Sequence, residues 1–72
     1  MFWDRTASPR FKFTSYEAED KGWHLVIRQE VNGYRLLCQA GEGHWRDEGH
    51  ITSLDAAKAR GEEIAKTPAP TK

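Results

Sequence analysis

The segment at residues 23–40 constrains the fold more than any other part of the chain. Two runs rich in aliphatic, β-branched and aromatic residues are separated there by Asn32 and Gly33. An Asn-Gly pair between such runs is typical of a two-residue type I′ turn, because both central positions need positive φ. The sequence therefore predicts a β-hairpin in which Val31 lies opposite Tyr34.

This register sorts the side chains of the hairpin onto two faces of a sheet. One face is mostly apolar and comprises Trp23, Leu25, Ile27, Gln29, Val31, Tyr34, Leu36, Cys38 and Ala40. The other face is mixed and comprises His24, Val26, Arg28, Glu30, Arg35, Leu37 and Gln39. Glu30 lies opposite Arg35 in this register, and such a cross-strand pair contributes roughly 0.2–1 kcal/mol. We expect the apolar face to form the core.

A third strand is predicted at residues 44–51, after the flexible connection Gly41–Gly43. Its register depends on the loop. A loop of four residues would place Trp45 on the core face, whereas a loop of three would place it on the outer face. Gly49 indicates a β-bulge within the strand.

A helix is predicted at residues 54–66, because small and apolar residues recur there at helical spacing. Its apolar face comprises Leu54, Ala57, Gly61, Ile64 and Ala65. Thr52 or Ser53 can cap its first turn, and Thr52 with Asp55 resembles a capping box. Glu62 and Lys66 are expected to form an exposed i,i+4 pair.

The remaining segments are less strongly patterned. Within residues 1–22, Phe11–Thr14 can alternate as a further strand, and residues 17–22 have the composition of a loop. The same N-terminal segment could instead fold across the open sheet face. Phe2 and Trp3 are expected to belong to the core, since a small domain needs large buried aromatic side chains. The alternative is that they form an exposed anchor for a partner, because aromatic side chains concentrate binding energy at interfaces.

The predicted fold class is therefore α+β, in the order β-β-β-α. A three-stranded antiparallel sheet, with a fourth strand as an alternative, is covered on one face by the C-terminal helix. One domain is expected over residues 1–66, with a disordered tail at residues 67–72 because that segment contains two prolines.

Charge and cysteine content limit the classes of function. The chain has 72 residues, 11 of them basic and 11 acidic, with a net charge of zero. Residues 1–22, 23–51 and 52–72 carry 0, −1 and +1, so no segment is a basic arm. Cys38 is the only cysteine and cannot form an intramolecular disulfide, which favours a cytoplasmic location. No run of eighteen apolar residues occurs, so no membrane association is expected.

Metal and catalytic sites are not expected. The candidate ligands are His24, His44, His50, Cys38, Asp47 and Glu48. Their spacing matches no compact zinc motif, and the predicted register buries Cys38. A buried thiol is a poor nucleophile, and a chain of this length has little volume for a pocket. We predict no enzyme activity, no cofactor and no small-molecule substrate.

The open face of the sheet gives the main functional hypothesis. A helix that covers one face leaves the other free, and that face combines apolar, aromatic and arginine side chains as interface cores do. The predicted binding residues are Val26, Arg28, Arg35, Leu37, Trp45 and Arg46. We therefore predict a non-catalytic protein-binding or regulatory module, whose partner is another protein or a second copy of the chain.

A nucleic-acid-binding domain is the alternative. Three antiparallel strands followed by a helix over residues 23–66, with the sequence GHITSLDAAKA leading into the helix, resemble the organisation of AP2-type and integrase-arm DNA-binding domains. The resemblance implies a sheet that reads the major groove. Only Arg28, Arg35 and Arg46 are arginines on the three predicted strands, and the basic density typical of those sheets is missing.

Overall fold

The computed structural model describes residues 2–7 and 14–67. In these ranges five strands form one antiparallel sheet whose spatial order is the order along the chain: β1 (Asp4–Ala7), β2 (Thr14–Asp20), β3 (Trp23–Glu30), β4 (Gly33–Ala40) and β5 (Trp45–Ile51). Helix α1 (Leu54–Ala65) follows and packs mainly on β3 and β4. The predicted α+β class with a C-terminal helix is confirmed. The predicted count of three or four strands is too low.

The N-terminal part of the chain supplies the additional strands. Strand β2 includes most of residues 17–22, which the sequence analysis assigned to a loop. The assignment was wrong because the segment alternates in the manner of a strand: Tyr16 and Ala18 point to the helix side, while Glu17 and Glu19 point away. The predicted strand at Phe11–Thr14 lies outside the described residues, except for Thr14.

The β3–β4 hairpin forms, but its register differs from the predicted one by two residues. Leu25 pairs with Cys38, and the two-residue turn is Val31-Asn32 rather than Asn32-Gly33. Neither Val31 nor Asn32 has positive φ, so the turn is not type I′. Because side chains alternate with a period of two, a shift of two residues keeps each side chain on its predicted face. Among the apolar residues of the hairpin only Val31 leaves the predicted core, since it lies in the turn and is 85% exposed. The expected core position of Phe2 is also wrong, because Phe2 is 79% exposed at the edge of the sheet, whereas Trp3 packs against the core.

Strand β5 begins at Trp45, one residue later than predicted, and contains the predicted bulge. Arg35 pairs with His50 and Leu37 pairs with Asp47, so the two residues 48 and 49 lie opposite one residue of β4. Gly49 has a φ of 92°, a value that glycine adopts readily.

Helix α1 begins after Ser53, whose Oγ accepts a hydrogen bond from the Ala56 amide at 3.1 Å. The Thr52–Asp55 capping box is therefore replaced by a cap on Ser53. Ala57, Gly61 and Ala65 are buried against the sheet, as predicted. Glu62 does not pair with Lys66, because its carboxylate accepts a hydrogen bond from Trp3 at 3.4 Å. Lys66 pairs instead with Glu63.

The core lies between α1 and the sheet face that carries Leu25, Ile27, Leu36 and Cys38, all of which are fully buried. Trp3 and Trp23 pack at its margin. The indole of Trp23 donates a hydrogen bond to the Thr67 carbonyl at 2.8 Å, which holds the residues after the helix on the sheet. Residues 68–72 of the predicted tail lie outside the described residues.

Candidate binding face

The sheet surface turned away from α1 is the candidate site, and we call it the outer face. Its members follow from the pairing register, because residues directly opposite one another share a face. Within the described residues the outer face contains Asp4, Ser15, Glu17, Glu19, His24, Val26, Arg28, Glu30, Arg35, Leu37, Gln39, Trp45, Asp47 and His50. Residues 14–22 extend the sheet at its side and do not cross this face.

The centre of the outer face is apolar. Val26 and Leu37 lie directly opposite one another on β3 and β4, and both are partly exposed. Trp45 pairs with Gln39, so five residues, 40–44, lie between the paired positions and Trp45 lies on the outer face. The predicted alternative on the core face is therefore wrong. The outer-face alternative gives the right face, although the connection is longer than the three residues predicted for it. Its ring packs against His24 with centroids 5.0 Å apart, and 45% of the residue is exposed.

Arg35 is held between two carboxylates. Its Nε lies 3.0 Å from Oε2 of Glu30, and its Nη1 lies 2.7 Å from Oδ2 of Asp47. The hydrogen bonds to Glu30 and then to Asp47 raise the pKa of the guanidinium. The predicted attraction between Glu30 and Arg35 is thus present, although Glu30 lies opposite Gly33 in the ladder. These contacts use two of the five N–H donors of the guanidinium and hold the group against its own sheet, so three donors remain for a ligand.

Arg28 is placed differently. It lies directly opposite Arg35 and is exposed, and it forms no ion pair within the described residues.

An open groove of about 480 Å³ runs beside the β3–β4 turn, with Arg28, Arg35 and His50 among its lining residues. A groove of this volume was not expected from the length of the chain. Its size is that of many ligand sites, but it is open to solvent and Arg35 is already engaged.

Acidic side chains dominate the charge of the outer face. Five carboxylates lie there, from Asp4, Glu17, Glu19, Glu30 and Asp47, against the two guanidinium groups of Arg28 and Arg35. Five minus two leaves a net charge of −3 for these described residues when His24 and His50 are neutral. The near-neutral segments of the sequence therefore fold into a surface with a clear negative excess.

Arg46 does not belong to the outer face, and its predicted position there is wrong. Trp45 and Arg46 are consecutive on a strand, so they point to opposite faces. Arg46 pairs with Cys38, lies 5.9 Å from the Trp23 ring centroid, and bonds Glu48 at 2.8 Å. Val26, Arg28, Arg35, Leu37 and Trp45 do lie together on the outer face.

The helix side carries its own polar cluster at the β5 edge. Glu48 bridges Arg46 and Arg60, so it connects β5 to α1. Cys38 lies fully buried beneath this cluster, and burial raises the pKa of its thiol. A raised thiol pKa disfavours the thiolate, which is the nucleophilic form. The cluster links two elements of the fold and presents no open nucleophile.

Three acidic residues of the outer face were not predicted from the sequence. Glu17 and Glu19 lie on β2, and Asp4 lies opposite Glu17 on β1. The signal for the β2 residues was present, since Ser15, Glu17 and Glu19 alternate with Tyr16 and Ala18. Asp4 carried no such signal, because its neighbours show no strand periodicity.

Two further observations concern the described part of the chain. No group of three or more His, Cys, Asp or Glu side chains is arranged there to hold a metal ion. No helix in residues 2–7 and 14–67 is both long and apolar enough to cross a membrane.

Comparisons with models of protein families, with curated proteins and with solved structures find no match to the chain.

Proposed function

We propose that the protein is a non-catalytic protein-binding module that uses the outer face of its sheet. The observation that carries the proposal is the one-sided cover of the sheet, since α1 packs on one face while Val26 and Leu37 lie side by side on the other. An antiparallel sheet with one covered face ordinarily presents polar residues to solvent on the other. An apolar pair flanked by an aromatic and an arginine is instead typical of an interface.

The charge of the outer face favours a protein over a nucleic acid. A nucleic-acid reader places cations along the phosphates, and its binding releases counterions. Here the described outer face carries three more carboxylates than guanidinium groups, and Arg35 is engaged by two of them. Phosphates approaching this surface would be repelled.

The test is to replace the apolar pair without disturbing the strands. The double substitution Val26→Thr and Leu37→Thr retains residues that favour strands but makes the centre of the face polar. We expect the variant to lose partner capture from the native extract while its circular dichroism is unchanged. Val31→Thr is the matched control, because Val31 is apolar and exposed but lies in the turn. If the wild type, the double variant and the Val31→Thr control capture the same amount of partner, the proposal is contradicted.

A further inference from the structure

The three carboxylates at the β1–β2 side of the outer face lack counterions within the described residues. Asp4 lies directly opposite Glu17, and Glu19 follows on the same face of β2. The ion pairs of the described chain involve none of these three groups. Like charges directly opposite one another on a sheet are destabilising, so within the described residues Asp4 and Glu17 form an unfavourable contact that a cation would relieve.

Apolar groups lie beside these carboxylates. Val26 is the cross-strand neighbour of Glu17, and Leu37 comes next in the same row. At the margin, Phe2 is 79% exposed and lines a cleft of about 300 Å³ together with Asp4, Glu17, Glu19 and His24. The acidic groups are therefore continuous with an aromatic side chain on one side and with the apolar centre on the other.

Resting on the proposed function, we infer that the partner of the outer face is a basic, amphipathic segment of another protein. Its lysines or arginines would lie against Asp4, Glu17 and Glu19, and its apolar side chains against Val26 and Leu37. A second copy of the chain fits less well, because its outer face would bring another excess of three negative charges. A nucleic acid fits least well, because it offers only anionic groups to an acidic surface.

The first experiment compares two peptides that differ only in charge. The ¹⁵N-labelled protein is titrated with an amphipathic helical peptide built of leucine and lysine, and with a matched peptide built of leucine and glutamate. We expect saturable shifts of outer-face amides with the lysine peptide only, and a fall in affinity as salt rises, because salt screens exposed charges. Shifts confined to α1, or equal binding of both peptides, would overturn the inference.

The second experiment assigns the effect to the carboxylates. In Glu17→Gln with Glu19→Gln, the affinity for the lysine peptide should fall roughly threefold to tenfold, the size expected for two exposed ion pairs. Glu62→Gln with Glu63→Gln is the matched control on α1 and should bind as the wild type does. Unchanged affinity in the outer-face variant would overturn the choice of a basic partner.

The outcomes separate the two proposals. If Val26→Thr with Leu37→Thr abolishes peptide binding but the glutamate variants do not, the outer face is a docking surface without a preference for cations. If sedimentation velocity shows a dimer that the same threonine variant dissociates, the partner is a second copy and the basic-segment inference is wrong. If no outer-face variant alters any interaction, both proposals fail.

Discussion

Gly61 on α1 lies against the ring of Trp3 in the N-terminal part of the chain. A Cβ atom on Gly61 would lie 2.8 Å from Cη2 and 3.0 Å from Cζ2 of the Trp3 ring. The glycine is therefore needed for space, although glycine in a helix costs about 1 kcal/mol relative to alanine. The indole also donates a hydrogen bond to Glu62 on the same helix.

The sign of the effect of Gly61→Ala should depend on Trp3. In the wild type we expect the substitution to lower the free energy of unfolding by about 1 kcal/mol, because overpacking of roughly 1–3 kcal/mol exceeds the gain in helix propensity. In a Trp3→Ala background the same substitution should raise the free energy of unfolding by up to about 1 kcal/mol.

Urea denaturation of the four proteins measures this double-mutant cycle. Ala59→Gly, at an exposed helical position, calibrates the propensity difference without a contact to Trp3. The same sign of effect in both backgrounds would show that Trp3 does not restrict position 61.

At the scale of elements, the two tight turns of the sheet differ in chemistry. Lys21 and Gly22 have φ values of 51° and 85°, so the β2–β3 connection has the positive φ that a type I′ turn requires at both positions. The β3–β4 turn uses Val31 and Asn32 without positive φ. Gly33 comes after this turn, where a Cβ would lie 2.7 Å from both Nε2 of His50 and the Ile51 carbonyl oxygen.

This difference explains why the register of the central hairpin was mispredicted. An Asn-Gly pair is the strongest short signal for a type I′ turn, but here the glycine is needed for the close approach of β5. That approach joins residues far apart in sequence, and no local pattern reveals it. The faces of the strands were still predicted correctly, because alternation of side chains survives a shift of two residues.

The two turns should differ in how much a substitution lowers the free energy of unfolding. Gly22→Ala forces a side chain into the left-handed region, and we expect it to lower the free energy of unfolding by about 1 kcal/mol or more. Asn32→Ala should change it by less than about 0.5 kcal/mol, because its φ is negative and its side chain is exposed. Thermal denaturation of both variants measures the contrast. A larger loss for Asn32→Ala would indicate that its side chain supports the turn.

Strand β5 should also confer a pH dependence. The pKa of Asp47 is lowered chiefly because the Gly49 amide donates a hydrogen bond to its carboxylate at 2.7 Å, with Arg35 contributing further. The carboxylate is thus bound more favourably in the folded protein than in the unfolded chain. Its stabilising effect should be complete above the unfolded pKa, near pH 4, and be lost as the pH falls through the lower folded pKa.

Melting temperatures of the wild type and Asp47→Asn, measured from neutral to acidic pH, test this expectation. The asparagine retains an acceptor for the Gly49 amide but cannot titrate. The wild type should melt higher than the variant at neutral pH, and the two should converge below about pH 4. A constant difference at all pH values would contradict the assignment to Asp47, and Asp20→Asn controls for general effects of removing a carboxylate.

At the scale of the whole molecule, the pairing of the strands determines how charge is distributed over the surface, which composition alone does not reveal. The three sequence segments carry 0, −1 and +1, yet strand pairing gathers five carboxylates onto one face of the described sheet. The apolar part of the site, Val26 and Leu37, could be predicted from alternation within one hairpin. The acidic part could not, because it depends on β1 and β2 lying beside β3, which only tertiary pairing establishes.

The order of the sheet also has a consequence for how fast the protein folds. Each strand pairs with its neighbour in sequence, and three of the four connections are only two or four residues long. Closing such short loops loses little chain entropy, so the hairpins should form rapidly, as in proteins of low contact order. The slower event is then the docking of α1, which brings Gly61 onto Trp3 and Thr67 onto Trp23, pairs of residues that lie far apart in the sequence. In a Trp45→Phe variant, which retains only Trp3 and Trp23, tryptophan fluorescence in stopped-flow refolding should therefore report the last step of folding rather than the first.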